Sequence, residues 1–283
     1  AMPQFQKDLG LSIKQSNLCS EITLPTNEER TAVCCLSSVN LEHYDDWSTD
    51  ENFIKDLITM LDNVIQHFID NAIDTTELGD YNANFKRFKS HIREGKEGFT
   101  KSSFSAYRER SLGLGAMGFH AYLQKNMVPF ESAIASAFNE EIFSHIKSEA
   151  DTTTRKLAVE RGACPDDDTA SVRNAHLLAI APNASSSIIM GNTSPSIEPY
   201  RANAYRQDTL SGSMLNKNKW LDRIIKEKCD ADSKLDYNEV WSSIIANDGS
   251  VQHLGDEFRL ALAKRDSRAQ WRCPARWLCA RYR

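Results

Sequence analysis

Asn17, Cys19 and Glu21 occupy alternate positions in Asn17-Leu18-Cys19-Ser20-Glu21-Ile22, and a further thiol, Cys34, lies thirteen residues beyond Glu21 in Val33-Cys34-Cys35-Leu36-Ser37. In an extended chain, side chains two apart point to one face, whereas on a helix this spacing scatters them around the axis. An extended segment would present an amide, a thiol and a carboxylate side by side. A thiol flanked by a hydrogen-bonding amide and a base suits chemistry on a hydroxyl-bearing substrate. On spacing alone, the run reads equally as a strand end with incidental polar residues, because Ile22-Thr23-Leu24-Pro25 fits a strand stopped by proline.

A second candidate is the turn Pro182-Asn183-Ala184-Ser185-Ser186-Ser187. It follows the apolar run Leu177 to Ala181, suited to a buried strand, and precedes Ile188-Ile189-Met190, so it could open a short helix. Free amides and hydroxyls at a helix start favour an anion. Serine clusters are more often plain turns or caps.

Gly113-Leu114-Gly115-Ala116-Met117-Gly118 spells the G-x-G-x-x-G dinucleotide fingerprint, but the polar residues Ser105 to Arg110 before it show no strand pattern. Small residues that let a helix approach another element are the better explanation.

The elements that must position these groups read as mixed and helix-rich. Phe53, Ile54, Leu57, Ile58, Leu61, Val64, Ile65, Phe68 and Ile69 recur at helical spacing and predict a helix from Asp50 to about Ile73, capped by Thr49 or Asp50. Gly79 to about Ser103 is polar and reads as a surface excursion. Further helices are expected over Ser111–Asn126, over Pro129 to about Arg161 (ended by Gly162), over Trp220–Lys228 and over Asn238–Ala246.

Composition bounds the function. The 283 residues are 41% hydrophobic, enough for one large domain or two small ones. No apolar window approaches a membrane span, and the first residues do not resemble a secretory signal. Seven cysteines with irregular spacing suggest a reducing compartment, hence a cytoplasmic location. The absence of C-x-x-C and of paired histidines argues against a zinc or iron site. The net charge of −5 argues against a general nucleic-acid binder. Residues 255–283 carry eight Lys plus Arg against three Asp plus Glu, a local +5, leaving −10 for residues 1–254. This basic, Arg-, Trp- and Cys-rich tail reads as a truncated, recombined or frame-shifted terminus rather than a nucleic-acid or membrane patch.

The run QSNLCSEITLPT resembles the active-site loop of the large, catalytic subunit of class I ribonucleotide reductase. AVCCLSSVNL, SLGLGAMGFHAYLQK, ERGACP and APNASSSIIMGNTSPSIEPYR agree in order over about 200 residues, and are similar to versions carried by large tailed phages, which would place the protein in a host cytoplasm. The resemblance implies an α/β fold: part, the second half, of a ten-stranded α/β barrel with an active-site finger loop, with residues 1–254 in the barrel and 255–283 outside it. In that family the Gly113 block is a packing helix.

The resemblance also implies roles. A thiyl radical on Cys19 would abstract the 3′ hydrogen of a ribonucleoside diphosphate, Glu21 would take the 3′-hydroxyl proton, Asn17 would orient the sugar hydroxyls, and Cys34 would donate a reducing equivalent as water leaves. Ser185 and Ser186, with Ser187 and Ala184 contributing less, would hold the diphosphate. Cys35 is a passenger, and Cys164 and Cys229 are structural thiols. No metal is bound directly. The radical would come from a di-iron tyrosyl small subunit and electrons from a dithiol, thioredoxin or glutaredoxin. The family's regulatory cone, first barrel half, Cys34's disulfide partner, adjacent tyrosine pair and carboxy-terminal cysteine pair find no match here. The chain is therefore expected to need an amino-terminal half as partner and to be inactive alone. The alternatives are a non-catalytic fragment that only associates with partners, and a cobalamin-dependent or glycyl-radical relative; the Glu21 carboxylate argues against the glycyl-radical type.

Overall fold

The structure, a computed structural model, describes residues 2–74, 84–209 and 212–254. The basic tail and residues 75–83, which include the start of the polar excursion, lie outside the described residues.

The described elements run α1 (Gln4–Asp8), β1 (Cys35–Asn40), α2 (Tyr44–Trp47), α3 (Phe53–Ala72), α4 (Phe85–Lys89), α5 (Thr100–Glu109), β2 (Leu112–Met117), α6 (Phe119–Lys125), α7 (Ala133–Arg161), α8 (Ser186–Ile189), β3 (Ala204–Thr209), β4 (Gly212–Lys217), α9 (Lys219–Ala231) and α10 (Tyr237–Ala246). β1 and β2 pair in parallel, Cys35 opposite Leu112 through Asn40 opposite Met117. Parallel neighbours require a crossover, and here helices α2 to α5 supply it. Residues 176–179 lie along the other edge of β2: the Leu112 and Leu114 N–H groups donate to the His176 and Leu177 carbonyls, and Ala179 N–H donates to Leu114 O. The expected buried strand at Leu177–Ala181 is present as this bridged segment, completing a parallel arc of the kind an α/β barrel uses.

The apolar stripe of α3 folds as its spacing predicts. Ile54, Ile58, Leu61, Ile65 and Ile69 are buried against α5, α7 and the two parallel strands. Each such side chain contributes about 1.5–3 kcal/mol by leaving water, which outweighs the weak β-branched helix propensity of the isoleucines. The capping differs from expectation. Asn52 is the N-cap with no side-chain bond, and Asp50 Oδ1 accepts from Asn52 N–H just ahead of the helix.

The expected helix over Ser111–Asn126 is corrected: its first half is strand β2 and only Phe119–Lys125 is helical. Leu112, Leu114 and Ala116 alternate with Gly113 and Gly115, a period of two that places the apolar side chains in the core and the glycines on the face shared with Leu36, Ser38 and Ala179. The glycines are therefore not packing positions of a helix. A Cβ on Gly113 would lie 2.3 Å from Leu36 Cδ2 and 3.1 Å from Cys34 Sγ, and one on Gly115 would lie 2.3 Å from the Ala179 carbonyl oxygen. Gly118, at φ +83°, turns the strand into α6.

Two further departures concern polar stretches. The expected surface excursion contains α4 and the start of α5, anchored by buried Phe88 and Phe104. β3 and β4 form an antiparallel pair that no alternation announced. With α9 and α10 they enclose a second core of Leu221, Ile224, Ile225, Trp241 and Ile244. Asn218 ties it to the main body, donating to Gln124 Oε1 at 3.1 Å and to Asn203 Oδ1 at 3.0 Å.

Candidate active site

Residues 17–22 form a tight turn rather than an extended strand. Asn17 N–H donates to Ile22 O, Ser20 N–H donates to Asn17 O, and Ile22 N–H donates to Asn17 Oδ1 at 3.0 Å. Ser20 takes φ +66°, so the chain doubles back, and the expected one-face arrangement of Asn17, Cys19 and Glu21 is corrected. The cause is local. An Asx-type bond from the Asn17 side chain offers the backbone a turn that competes with strand pairing. Cys19 stands exposed at the tip beside Leu18, which is 99% exposed. Glu21 descends into the body, where its Oε2 is buried without a protein hydrogen-bond partner.

Cys34 precedes β1 on the face shared by Leu36, Ser38 and Asn40. Burial pushes its thiol up to about 12, and nearby Cys35, Glu109 and Glu21 push in the same direction. The structure thus brings Glu21 into electrostatic reach of Cys34. Cys35 points to the opposite face and is also shifted up by burial, against the nearby Arg110. Cys164 is fully buried, as expected of a structural thiol; Cys229 is half-buried.

The serine turn opens α8, a single helical turn. Asn183, at φ +54°, fixes it to the sheet: its Nδ2 lies 3.0 Å from Ser38 Oγ, 3.2 Å from Ala116 O and 2.9 Å from Ala181 O. Ser38 belongs to the Cys34 face, so the serine turn and the thiol share one side of β1. Ala184, Ser185 and Ser186 are exposed. Ser187 is buried, its hydroxyl donating to Ala184 O and its N–H to Asn183 O, so it presents nothing outward.

Sequence reasoning missed Glu109. It is fully buried at the end of α5, three residues before the start of β2, and no sequence signal separated it from its polar neighbours Arg108 and Arg110. Gln6 Nε2 donates to Glu109 Oε2 at 3.0 Å and lies 3.3 Å from Asp166 Oδ2, while Gln6 Oε1 lies 3.0 Å from His176 Nε2. Asp166 is paired with Arg30 and Arg108. Burial raises Glu109 to about 7 despite Gln6 and Arg30, and burial lowers His176 to about 4. Among the described residues, no group of three or more His, Cys, Asp or Glu could hold a metal ion, and no helix is long and apolar enough to cross a membrane.

The arc of parallel strands joined through helices defines a class: part of an α/β barrel. The family model described as ribonucleotide reductase, barrel domain, matches residues 4–171 and 166–262. The chain belongs to that family. It is 49% identical over 254 residues to the ribonucleoside-diphosphate reductase large subunit of Invertebrate iridescent virus 3, covering 90% of this chain and 36% of the relative. A putative large subunit of Frog virus 3 is 48% identical, covering 88% and 39%. The Actinobacillus ureae class Id ribonucleotide reductase alpha subunit superposes with a TM-score of 0.75 at 34% identity, over 92% of this chain and 44% of that one. The chain thus spans less than half the length of each. The two viral relatives are iridovirus proteins, so the expected nearness to tailed phages is not carried by them.

Proposed function

We propose that this chain carries the catalytic face of a ribonucleoside-diphosphate reductase large subunit. A thiyl radical on Cys19, generated through a small subunit of the di-iron tyrosyl type, removes the 3′ hydrogen of the substrate and returns it once the 2′ carbon is reduced, which restores the radical. Glu21 accepts the 3′-hydroxyl proton, and the Asn17 amide orients the hydroxyls. Cys34 and a second thiol deliver two electrons and protons: the 2′ carbon–oxygen bond becomes carbon–hydrogen, water leaves, and the two thiols become a disulfide. A thioredoxin- or glutaredoxin-type dithiol restores them. Ser185 and Ser186 receive the diphosphate, with the Ala184 backbone beside them.

The observation that carries this reading is the convergence of Glu21 and Cys34. The carboxylate oxygen Oε2 is buried without a protein donor, and Cys34, held near 12, is a neutral thiol at neutral pH, the form that can give up hydrogen. The radical route asks nothing of a low thiol pKa at Cys19. The test is ribonucleoside-diphosphate reduction by this chain supplied with the remainder of a family large subunit, a small subunit and a dithiol. Deoxynucleotide formation should depend on the chain and disappear with Cys19→Ser and Glu21→Ala. Turnover that survives Cys19→Ser would refute the assignment.

A further inference from the structure

We propose that Asn183 is a positioning residue: its side-chain amide clamps the serine turn to β1 and so holds Ser185 and Ser186 ready for the substrate diphosphate. This rests on the reading of that turn as the diphosphate site.

The turn is a short exposed arc held at both ends. At its start Asn183 takes φ +54°, a left-handed conformation that asparagine adopts more readily than most residues. Its Nδ2 donates to Ser38 Oγ at 3.0 Å, to Ala116 O at 3.2 Å and to Ala181 O at 2.9 Å. One amide therefore joins β1, β2 and the segment leading into the turn, at the point where the turn begins. Asn183 O also accepts from Ser187 N–H, closing the turn from within. At the far end the Tyr200 and Tyr205 hydroxyls donate to Asn192 O at 3.1 Å and Asn192 Oδ1 at 3.2 Å. Lys219 Nζ donates to Gly191 O at 3.2 Å. Between these anchors Ala184, Ser185 and Ser186 are exposed.

Ser38 connects the clamp to the chemistry. It lies on the Cys34 face of β1, four residues farther along. It pairs with Gly115, where a Cβ would lie 3.1 Å from Ser38 Oγ, just as a Cβ on Gly113 would lie 3.1 Å from Cys34 Sγ. The two glycines thus leave both polar side chains room over β2. Thiol and turn are referenced to one strand, so backbone pairing and a single amide fix the turn's place relative to Cys34. A loose turn would have to be ordered by the ligand itself, and that ordering is subtracted from binding. The loss is felt equally in the bound state and the transition state, so it belongs in KM rather than kcat.

The test uses Asn183→Gly, which keeps the left-handed backbone and removes the amide, and Ser38→Ala, which leaves every residue of the turn in place. In the full chain alone, amide hydrogen exchange across residues 184–190 should speed about tenfold in Asn183→Gly, as loss of a net hydrogen bond implies. The rise should be smaller in Ser38→Ala, with exchange in α3 unchanged. A turn that exchanges as in the parent in either variant overturns the clamp, whatever the reaction. Should Asn183→Gly loosen α3 as well, Ser38→Ala decides by the same comparison. In the reconstituted assembly, Asn183→Gly should raise KM for the ribonucleoside diphosphate about tenfold while kcat stays within about twofold. A lowered kcat at unchanged KM, the mark of a partly misfolded chain, overturns the positioning role. A parent assembly without turnover refutes the diphosphate reading instead, and with it the role of the clamp in binding, a result the exchange measurement keeps separate.

Discussion

A fully buried carboxyl has consequences for stability. Glu109 is raised to about 7 by burial, from an ordinary value of 4.5. Between those values the unfolded chain has lost a proton that the folded chain retains. Stability should therefore be fullest below about pH 4.5, fall as pH rises through 7 and level off above it, by about 3 kcal/mol in all. Urea unfolding of the parent and Glu109→Gln at pH 5 and pH 8 checks this; the variant should lack that fall. Gly113→Ala should cost about 1–3 kcal/mol in the same assay, because its Cβ meets Leu36 Cδ2 and Ala179 Cβ and crowds Cys34 Sγ. At this scale the sequence displayed Cys19, Glu21 and Cys34 through their residue types. It concealed Glu109, because burial rather than type sets that carboxyl apart from Asp and Glu elsewhere. It also misstated the geometry of Asn17, whose side chain closes a turn.

At the level of elements, helices with strong apolar spacing and clear stops were legible. α7 ends at Gly162 as expected, and its start is fixed by Ser132 Oγ accepting from Ala135 N–H at 3.1 Å. Ser132→Ala should cost about 1 kcal/mol by leaving that amide without its cap, read as a lowered urea midpoint with an unchanged m-value. β2 was not legible as a strand. Alternating glycine and small apolar residues look the same whether they serve a close helix or a close strand, and the deciding partners, Leu36 and Ala179, lie 77 and 66 positions from Gly113. The β3–β4 pair escaped for a related reason: β4 is largely exposed and carries no alternation of burial.

Across the molecule, the site face is held by polar anchors buried between elements. Asp62 of α3 accepts from Arg110, Arg161, Arg173 and Asn174, joining α3, the start of β2, the end of α7 and the loop that leads to the serine turn. Burial alone would raise its carboxyl, but Arg110 and Arg173 hold it below the ordinary range. Its contribution is thus present above pH 4 and is lost as pH falls through the lowered value. Asp62→Asn should cost about 3–5 kcal/mol by leaving buried guanidinium groups unpaired, visible as a large fall in Tm at pH 7 that narrows as the pH is lowered. No local sequence pattern forecast this cluster, whose members span 112 positions.

The central proposal is that Cys19, at the exposed tip of the loop whose Glu21 turns inward toward Cys34, starts chemistry at the 3′ carbon. The most direct measurement is the rate of deoxynucleotide formation from a 3′-deuterated ribonucleoside diphosphate, in the assembly reconstituted with this chain. A primary isotope effect with the parent chain, together with complete loss of product in Cys19→Ser, is the predicted result. Product formation by Cys19→Ser, or loss of the 2′ hydroxyl with the 3′ deuterium never exchanged or slowed, would contradict it.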